Sequence, residues 1–161
     1  MPLILTHLSR SRSTRILWLL EEIGCEYELV LAGEGETFSL RDGQTTIHET
    51  GAMNEWLCET WGQSLWRAPT HPSRLAWLDW LHFGETLLAG PTDGVSSKLN
   101  LLSDWLEASE WLLDEFSGVD CQVGYSLWAL SQKTDLKDRP PLTSYLKRCQ
   151  SRPAFGFATG R

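Results

Sequence analysis

The chain has 161 residues, of which 42% are hydrophobic, so it can bury a core and wholesale disorder is excluded. Its formal net charge is −7 and no basic stripe runs along it, which disfavours a protein that binds nucleic acid. The apolar segments are too short and interrupted to span a bilayer, and no signal peptide opens the sequence. The four cysteines are widely spaced without a CxxC pair, which favours reduced thiols in a soluble cytoplasmic protein.

The first 62 residues predict a small α/β unit. An apolar strand over Leu3–Leu8 leads through a serine- and arginine-rich loop into a helix over Thr14–Ile23 and a second strand over Tyr27–Leu31. This strand–helix–strand order makes the two strands parallel. A hairpin around Asp42-Gly43 and a helix over Thr50–Trp61 complete the unit.

Beyond this unit the sequence predicts only helices. Residues 63–72 contain two prolines and predict a linker between a first domain, 1–62, and an all-helical second domain, 73–161. The predicted helices cover Ser73–Leu88, Leu99–Phe116, Ser117–Gln132 and Pro140–Cys149, with a turn-rich break over Gly90–Ser97. The segment Ser117-Gly-Val-Asp120 is typical of a capping box at the start of a helix.

Four segments, in chain order, carry a resemblance to a known family. They are Leu8–Glu22, Asp42-Gly43 with Ile47–Met53, Phe116–Asp120 and Tyr145–Phe155. Each is similar to the corresponding segment of bacterial glutathione transferases. The resemblance implies an α/β plus all-α fold, with a thioredoxin-like N-terminal domain followed by a helical C-terminal domain. It also implies a homodimer that binds glutathione and a small apolar electrophile.

The resemblance implies a catalytic serine. A free thiol has a pKa of about 8.5, so such an enzyme must favour the thiolate of glutathione with a hydroxyl donor and a helix N-terminus. Ser11 matches the position of the serine or cysteine that contacts the sulfur, whereas Thr6 stands where other classes have a tyrosine. The residues alone leave open that Ser11 or Ser13 merely caps the helix, because serine is a favoured N-cap.

The implied glutathione-binding residues are Glu49, Thr50, Ser39 and Leu40. Thr50 and the helix it begins are expected to bind the γ-glutamyl carboxylate of glutathione, while Glu49 reaches its ammonium. Ser39 and Leu40 lie beside the turn that contacts the cysteinyl part in the family. An ordinary Thr50 N-cap next to a solvated Glu49 is the alternative. The four histidines lack metal-ligand spacing, and no metal is expected.

Two arginines near the start of the first helix have two interpretations. Arg12 and Arg15 would either steer an anionic tripeptide or pair with Glu21, Glu22 or another carboxylate. Exposed ion pairs of this kind contribute little to stability, so neither arginine belongs to the predicted catalytic set.

The link between the second and third strands departs from the family pattern. Typical members carry a helix there, followed by a cis-proline, but only the seven residues Leu31–Thr37 separate Val30 from Phe38, which stands at the expected proline position. The link must cross about 10 Å, and seven extended residues reach roughly twice that distance. We therefore expect a reduced thioredoxin-like domain that lacks this helix, and a loss of cover that exposes apolar surface to a partner.

Two functions fit these residues. The first is an enzyme that stabilises the glutathione thiolate at Ser11 and transfers it to an apolar electrophile. The alternative is a catalytically degenerate module of the same fold that binds a ligand or assembles with other proteins, which the shortened glutathione site favours. A thioredoxin-type disulfide reductase is disfavoured, because the loop before the first helix contains no cysteine.

Overall fold

A four-stranded mixed sheet forms the N-terminal part of the protein, in a computed structural model that describes residues 2–89 and 92–161. Its strands are β1 (Leu3–His7), β2 (Tyr27–Leu31), β3 (Ser39–Asp42) and β4 (Thr45–Ile47). The order across the sheet is β2-β1-β3-β4, with β1 parallel to β2 and the other neighbours antiparallel. The predicted strand–helix–strand unit and hairpin are therefore confirmed.

Two helices bury one face of this sheet. Helix α1 (Ser13–Ile23) connects β1 to β2, and α2 (Thr50–Thr60) follows β4 and packs against α1. The side chains of Leu3 and Leu5 alternate along β1 and are buried beneath them, as expected for a strand with one covered face.

No helix among the described residues covers the opposite face of the sheet. Residues 32–38 join β2 to β3 as a loop with a turn, which confirms the reduced domain. The strand register places together on this face Ile4, Thr6, Glu28, Val30, Ser39, Arg41 and Thr46. Ile4 and Val30 are the two apolar residues among these seven, and Val30 is exposed, so the expectation of exposed apolar surface stays a prediction for this face.

In the described residues, the C-terminal part contains five helices: α3 (Arg74–Ala89), α4 (Thr92–Leu106), α5 (Gly118–Ser131), α6 (Pro140–Gln150) and α7 (Pro153–Thr159). A single 3-10 turn over Gln63–Leu65 lies between α2 and α3. A four-stranded sheet with two helices, followed by this helical part, confirms the predicted thioredoxin-like and helical fold.

Helix positions differ from the prediction in three places. The predicted break over Gly90–Ser97 is helical from Thr92 onward, because Val95 continues the helical spacing of Leu99, Leu102 and Leu106 and packs against the core with them; Gly90 and Pro91 lie outside the described residues. The helix predicted to reach Phe116 ends at Leu106. Helix α7 lies beyond the last predicted helix and begins at Pro153, because proline fits the first helical position.

Helix α5 lies at the centre of the core. Its predicted capping box is present: Ser117 and Asp120 exchange side-chain and backbone hydrogen bonds at its N-terminus. A Cβ atom on Gly118 would lie 2.5 Å from Cys58 Sγ and 2.8 Å from Asn54 Oδ1, both on α2. Glycine at this position therefore lets the start of α5 approach the helix that covers the sheet.

Candidate functional site

Ser11 lies in the tight loop between β1 and α1. Its backbone N–H donates to the carbonyl of Leu8 at 3.2 Å, and Arg10 between them adopts a left-handed conformation with φ 56. The Ser11 side chain is half-buried, and its Oγ accepts the backbone N–H of Ser13 at 3.1 Å. A cap-like bond to the first residue of α1 thus uses one lone pair of Ser11 and leaves its hydroxyl proton free for another acceptor.

A chain of hydrogen bonds connects Ser11 to the interior. The Oγ atoms of Ser11 and Ser13 lie 2.8 Å apart, and Ser13 Oγ lies 2.8 Å from Nδ1 of His7. Ser13 Oγ also accepts the backbone N–H of Leu8 at 3.1 Å. His7 is only 1% exposed, and burial lowers the pKa of its imidazole, so the ring is neutral near pH 7.

Glu49 and Thr50, at the N-terminus of α2, differ in solvent exposure. Glu49 is the exposed N-cap, with extended backbone, and no side chain caps the helix. Thr50 is the first helical residue and is fully buried; its hydroxyl donates to Glu85 and accepts from Nη1 of Arg15 at 3.2 Å. The first turn of α2 therefore offers a ligand its backbone N–H groups, while the Thr50 hydroxyl faces inward.

Arg15 holds the sheet and the helical part together. Its guanidinium is fully buried and lies 2.9 Å from the carboxylate of Glu85 on α3. It also donates to Ser126 Oγ at 2.8 Å and to the carbonyl of Gly84 at 3.1 Å. The interpretation of Arg15 as a weakly contributing exposed arginine is therefore wrong, because the guanidinium is buried and both of its terminal nitrogens donate within the core.

Arg12 shares the same carboxylate from the surface. Its exposed guanidinium lies 3.4 Å from Glu85 and 5.5 Å from the ring centroid of Phe38. Both arginines thus pair with Glu85, on the helical part, rather than with Glu21 or Glu22.

The charge on Glu85 depends on these partners. Burial acts to raise the pKa of its carboxyl, but Arg15 and the Thr50 hydroxyl hold the pKa below its usual range. Gln122 donates to the same carboxylate from α5. Glu85 was not among the predicted site residues; it is one of two carboxylates in the mainly apolar helix α3, and a carboxylate removed from water needs a cation to pair with it.

The start of β3 lacks the turn expected in the family. The described residues contain no cis peptide bond, so the bond before Phe38 is trans. Ser39 pairs with Thr6 on β1 and has no partner on β4 in the described strands. Leu40 is fully buried and pairs on both sides, so its assignment to the glutathione site is supported by the resemblance alone.

A cavity of about 500 Å³ opens beside the β1–α1 loop, at Arg10. Its lining combines the loop with the C-terminal part of α5 and with α7, through Arg10, Tyr125, Trp128, Ala129, Gln132, Lys133 and Thr159. The cavity presents two aromatic rings next to the polar ends of longer side chains, which suits a partly apolar small molecule.

Other chemistries have little support among the described residues. All four cysteines are free, and burial raises the pKa of each thiol, which disfavours a cysteine nucleophile. No three His, Cys, Asp or Glu side chains in ranges 2–89 and 92–161 could together hold a metal ion. Within the same ranges, no helix is both long and apolar enough to cross a membrane.

Comparison with known proteins gives similarity in structure but not in sequence. No protein-family model matches the chain, and no curated protein matches it. Among solved structures, a glutathione transferase from Methylococcus capsulatus superposes with a TM-score of 0.84 at 23% identity, over 98% of this chain and 97% of that one. One from Actinobacillus pleuropneumoniae gives 0.84 at 23% identity, over 98% and 91%.

A third neighbour was solved with its ligand. The sphingomonad glutathione transferase in complex with glutathione superposes with a TM-score of 0.82 at 20% identity, covering 98% of this chain and 97% of its own. These superpositions extend over nearly the whole of both chains, although the identities are low. The chain therefore has the glutathione transferase fold, in a form whose sheet lacks the helix between its second and third strands.

Proposed function

We propose that the protein binds glutathione, stabilises its thiolate at Ser11 and transfers it to an apolar electrophile. The observation that carries this proposal is the half-buried Ser11 hydroxyl just ahead of α1, in a fold that binds glutathione in the sphingomonad enzyme. A hydroxyl donor and the positive end of a helix both favour an anionic sulfur over the thiol.

The rest of the tripeptide would lie along α2 and β3. The exposed carboxylate of Glu49 suits the ammonium of the γ-glutamyl group, and the backbone N–H groups that begin at Thr50 suit its carboxylate. The unpaired edge of Ser39 suits the cysteinyl backbone, with Leu40 supporting that edge from within the sheet. Residues 1–62 would then form the glutathione-binding domain, joined by 63–72 to the helical domain 73–161.

We assign the electrophile to the cavity that Arg10, Tyr125 and Trp128 line, because it shares the loop of Ser11 and presents aromatic surface.

The four free cysteines fit a reducing compartment, which supports the cytoplasm as the location. Exposed apolar side chains on α2, α3 and α4 and at the C-cap of α2, namely Trp56, Leu75, Leu101, Trp105 and Trp61, support a homodimer. Sedimentation of wild type beside Trp105→Glu tests the dimer, which this change should weaken.

Calorimetric titration with glutathione tests the proposal. We expect binding in the micromolar to low-millimolar range, weakened at least about tenfold by Glu49→Ala through loss of a charged hydrogen bond. His48→Ala is the matched control, since this exposed neighbour leaves the carboxylate in place. Ser11→Ala should keep binding but lose turnover with an electrophile panel. Absence of heat at millimolar glutathione would refute the proposal.

A catalytically degenerate module is the second candidate. The trans bond before Phe38 and the uncovered loop 32–38 favour it, since both lie where family members hold the cysteinyl and glycyl ends of glutathione. Glutathione binding without turnover, unchanged by Ser11→Ala, would favour this candidate over the enzyme.

A further inference from the structure

The hydrogen bonds behind Ser11 have a direction that donor and acceptor counts determine. A serine hydroxyl has one proton and accepts two hydrogen bonds, and a neutral histidine has one donor and one acceptor nitrogen. The chain His7–Ser13–Ser11 can therefore be followed one proton at a time, starting from the imidazole.

The first proton belongs on Nδ1 of His7. The other ring nitrogen, Nε2, is buried without a hydrogen-bond partner, whereas Nδ1 lies 2.8 Å from Ser13 Oγ. The backbone oxygen of Arg161 acts on the ring as an acceptor and favours its protonated form, but no bond from Nε2 to it has hydrogen-bonding geometry in the structure. A buried N–H without an acceptor is rarer than an unused lone pair, so the proton occupies Nδ1 and donates to Ser13.

The second proton then points towards Ser11. With His7 donating, Ser13 Oγ accepts two hydrogen bonds, from that ring and from the backbone N–H of Leu8 at 3.1 Å. Its own proton has two possible acceptors, Ser11 Oγ at 2.8 Å and the Leu8 carbonyl at 3.2 Å. The shorter contact is to Ser11, which receives the bond.

The third proton is left for a ligand. Ser11 Oγ accepts the hydroxyl of Ser13 and the backbone N–H of Ser13 at 3.1 Å, so both of its acceptor positions are used. Its hydroxyl therefore acts as a donor only, and the half-buried side chain has solvent on one side. Hydrogen bonds that point the same way along a chain also strengthen one another.

We propose that His7 is a positioning residue, which acts through Ser13 to make the Ser11 hydroxyl a dedicated donor to an anionic sulfur. This inference rests on the proposed function for the identity of the ligand, but not for the direction of the chain. The buried His7 thus contributes to thiolate stabilisation without touching the substrate.

Nitrogen NMR of the His7 ring tests the direction in the ligand-free protein. We expect the neutral Nδ1–H tautomer at pH 7 in wild type and a loss of this preference in Ser13→Ala. An Nε2–H tautomer or a doubly protonated ring would overturn the inference, whether or not glutathione binds.

The pKa of the bound glutathione thiol, followed by thiolate absorbance, tests the consequence. His7→Leu and Ser13→Ala should raise this pKa by about 0.5–1 unit, the loss expected for one net hydrogen bond. Glutathione affinity measured at a pH low enough to keep the bound thiol protonated should change less than about twofold. His7→Asn is the matched control, since its amide can donate near the position of Nδ1 and should restore the wild-type value. Arg12 and Arg15 remain in every variant, so their effect on the sulfur cancels.

The two proposals fail in different ways. An unchanged thiol pKa in His7→Leu, with a raised pKa in Ser11→Ala, would overturn the role of His7 and leave the proposed function standing. No glutathione binding by wild type would refute the proposed function, and the ring tautomer would still decide the direction of the chain.

Discussion

Two carboxylates in this protein, one half-buried and one fully buried, have pKa values that are shifted in opposite directions. Glu85, between the sheet and the helical part, lies 2.9 Å from the Arg15 guanidinium and has a lowered pKa. Asp120, within the helical part, accepts from Ser117 and Leu112 N–H groups and from the Tyr145 hydroxyl, yet burial raises its pKa to about 6. Neutral donors satisfy a carboxylate, but a nearby positive charge is needed to offset its desolvation.

The largest effect should follow removal of that positive charge. Arg15→Met leaves Glu85 without its buried cation, and we expect the free energy of unfolding to fall by about 3–5 kcal/mol. Urea denaturation measures this change. Arg12→Met is the matched control, because it removes an exposed arginine from the same carboxylate and should cost at most about 1 kcal/mol. Equal losses in the two variants would contradict the difference between the buried and exposed pairs.

The contribution of Asp120 to the free energy of unfolding should change with pH by up to about 3 kcal/mol. Its pKa of about 6 in the folded protein exceeds its ordinary value of 3.8, so the folded state binds more protons across this interval. Stability from this group is therefore present at low pH and is lost as pH rises through 6. The difference in unfolding free energy between wild type and Asp120→Asn should shrink from pH 4 to pH 6.5. The contributions of the other titrating groups are common to both proteins and cancel in this difference. A difference that stays constant would refute the raised pKa.

A smaller effect should come from displacing a neutral donor to Glu85. A Cβ atom on Gly84 would lie 2.7 Å from Cγ and 3.1 Å from the backbone carbonyl carbon of Gln122. Gly84→Ala should therefore cost about 1–3 kcal/mol in thermal or urea unfolding by overpacking α3 against α5. Gly51→Ala is the control, since its nearest contact would be 3.8 Å and alanine favours a helix by up to about 1 kcal/mol. Equal destabilisation of both variants would contradict this packing argument.

The sequence predicted local features better than distant pairings. The capping box at Ser117 and Asp120, and the strands before and after α1, follow from residues a few positions apart, where spacing carries the signal. The pairing of Arg15 with Glu85 joins residues 70 positions apart, and nothing local specifies it. The inward orientation of Thr50 follows from that pairing and was missed with it.

The proposed site was predictable only in part for the same reason. The position of Ser11 ahead of α1 follows from the local strand–loop–helix pattern. The contact of Ser13 with His7 depends on how β1 and the loop fold together, and the sequence indicated only that the four histidines lack metal-ligand spacing. Its lone imidazole carried no spacing signal, because its partner is a serine in the next loop rather than a second metal ligand.

The position of the Arg15 guanidinium has a consequence for cooperativity. The arginine comes from α1, beside the sheet, whereas Glu85, Ser126 and the Gly84 carbonyl belong to the helical part. If one part unfolded alone, the buried polar groups of the remaining part would lose their partners, which costs free energy. The two parts should therefore melt as one unit, with fluorescence from the tryptophans and the amide signal of the sheet following a single transition.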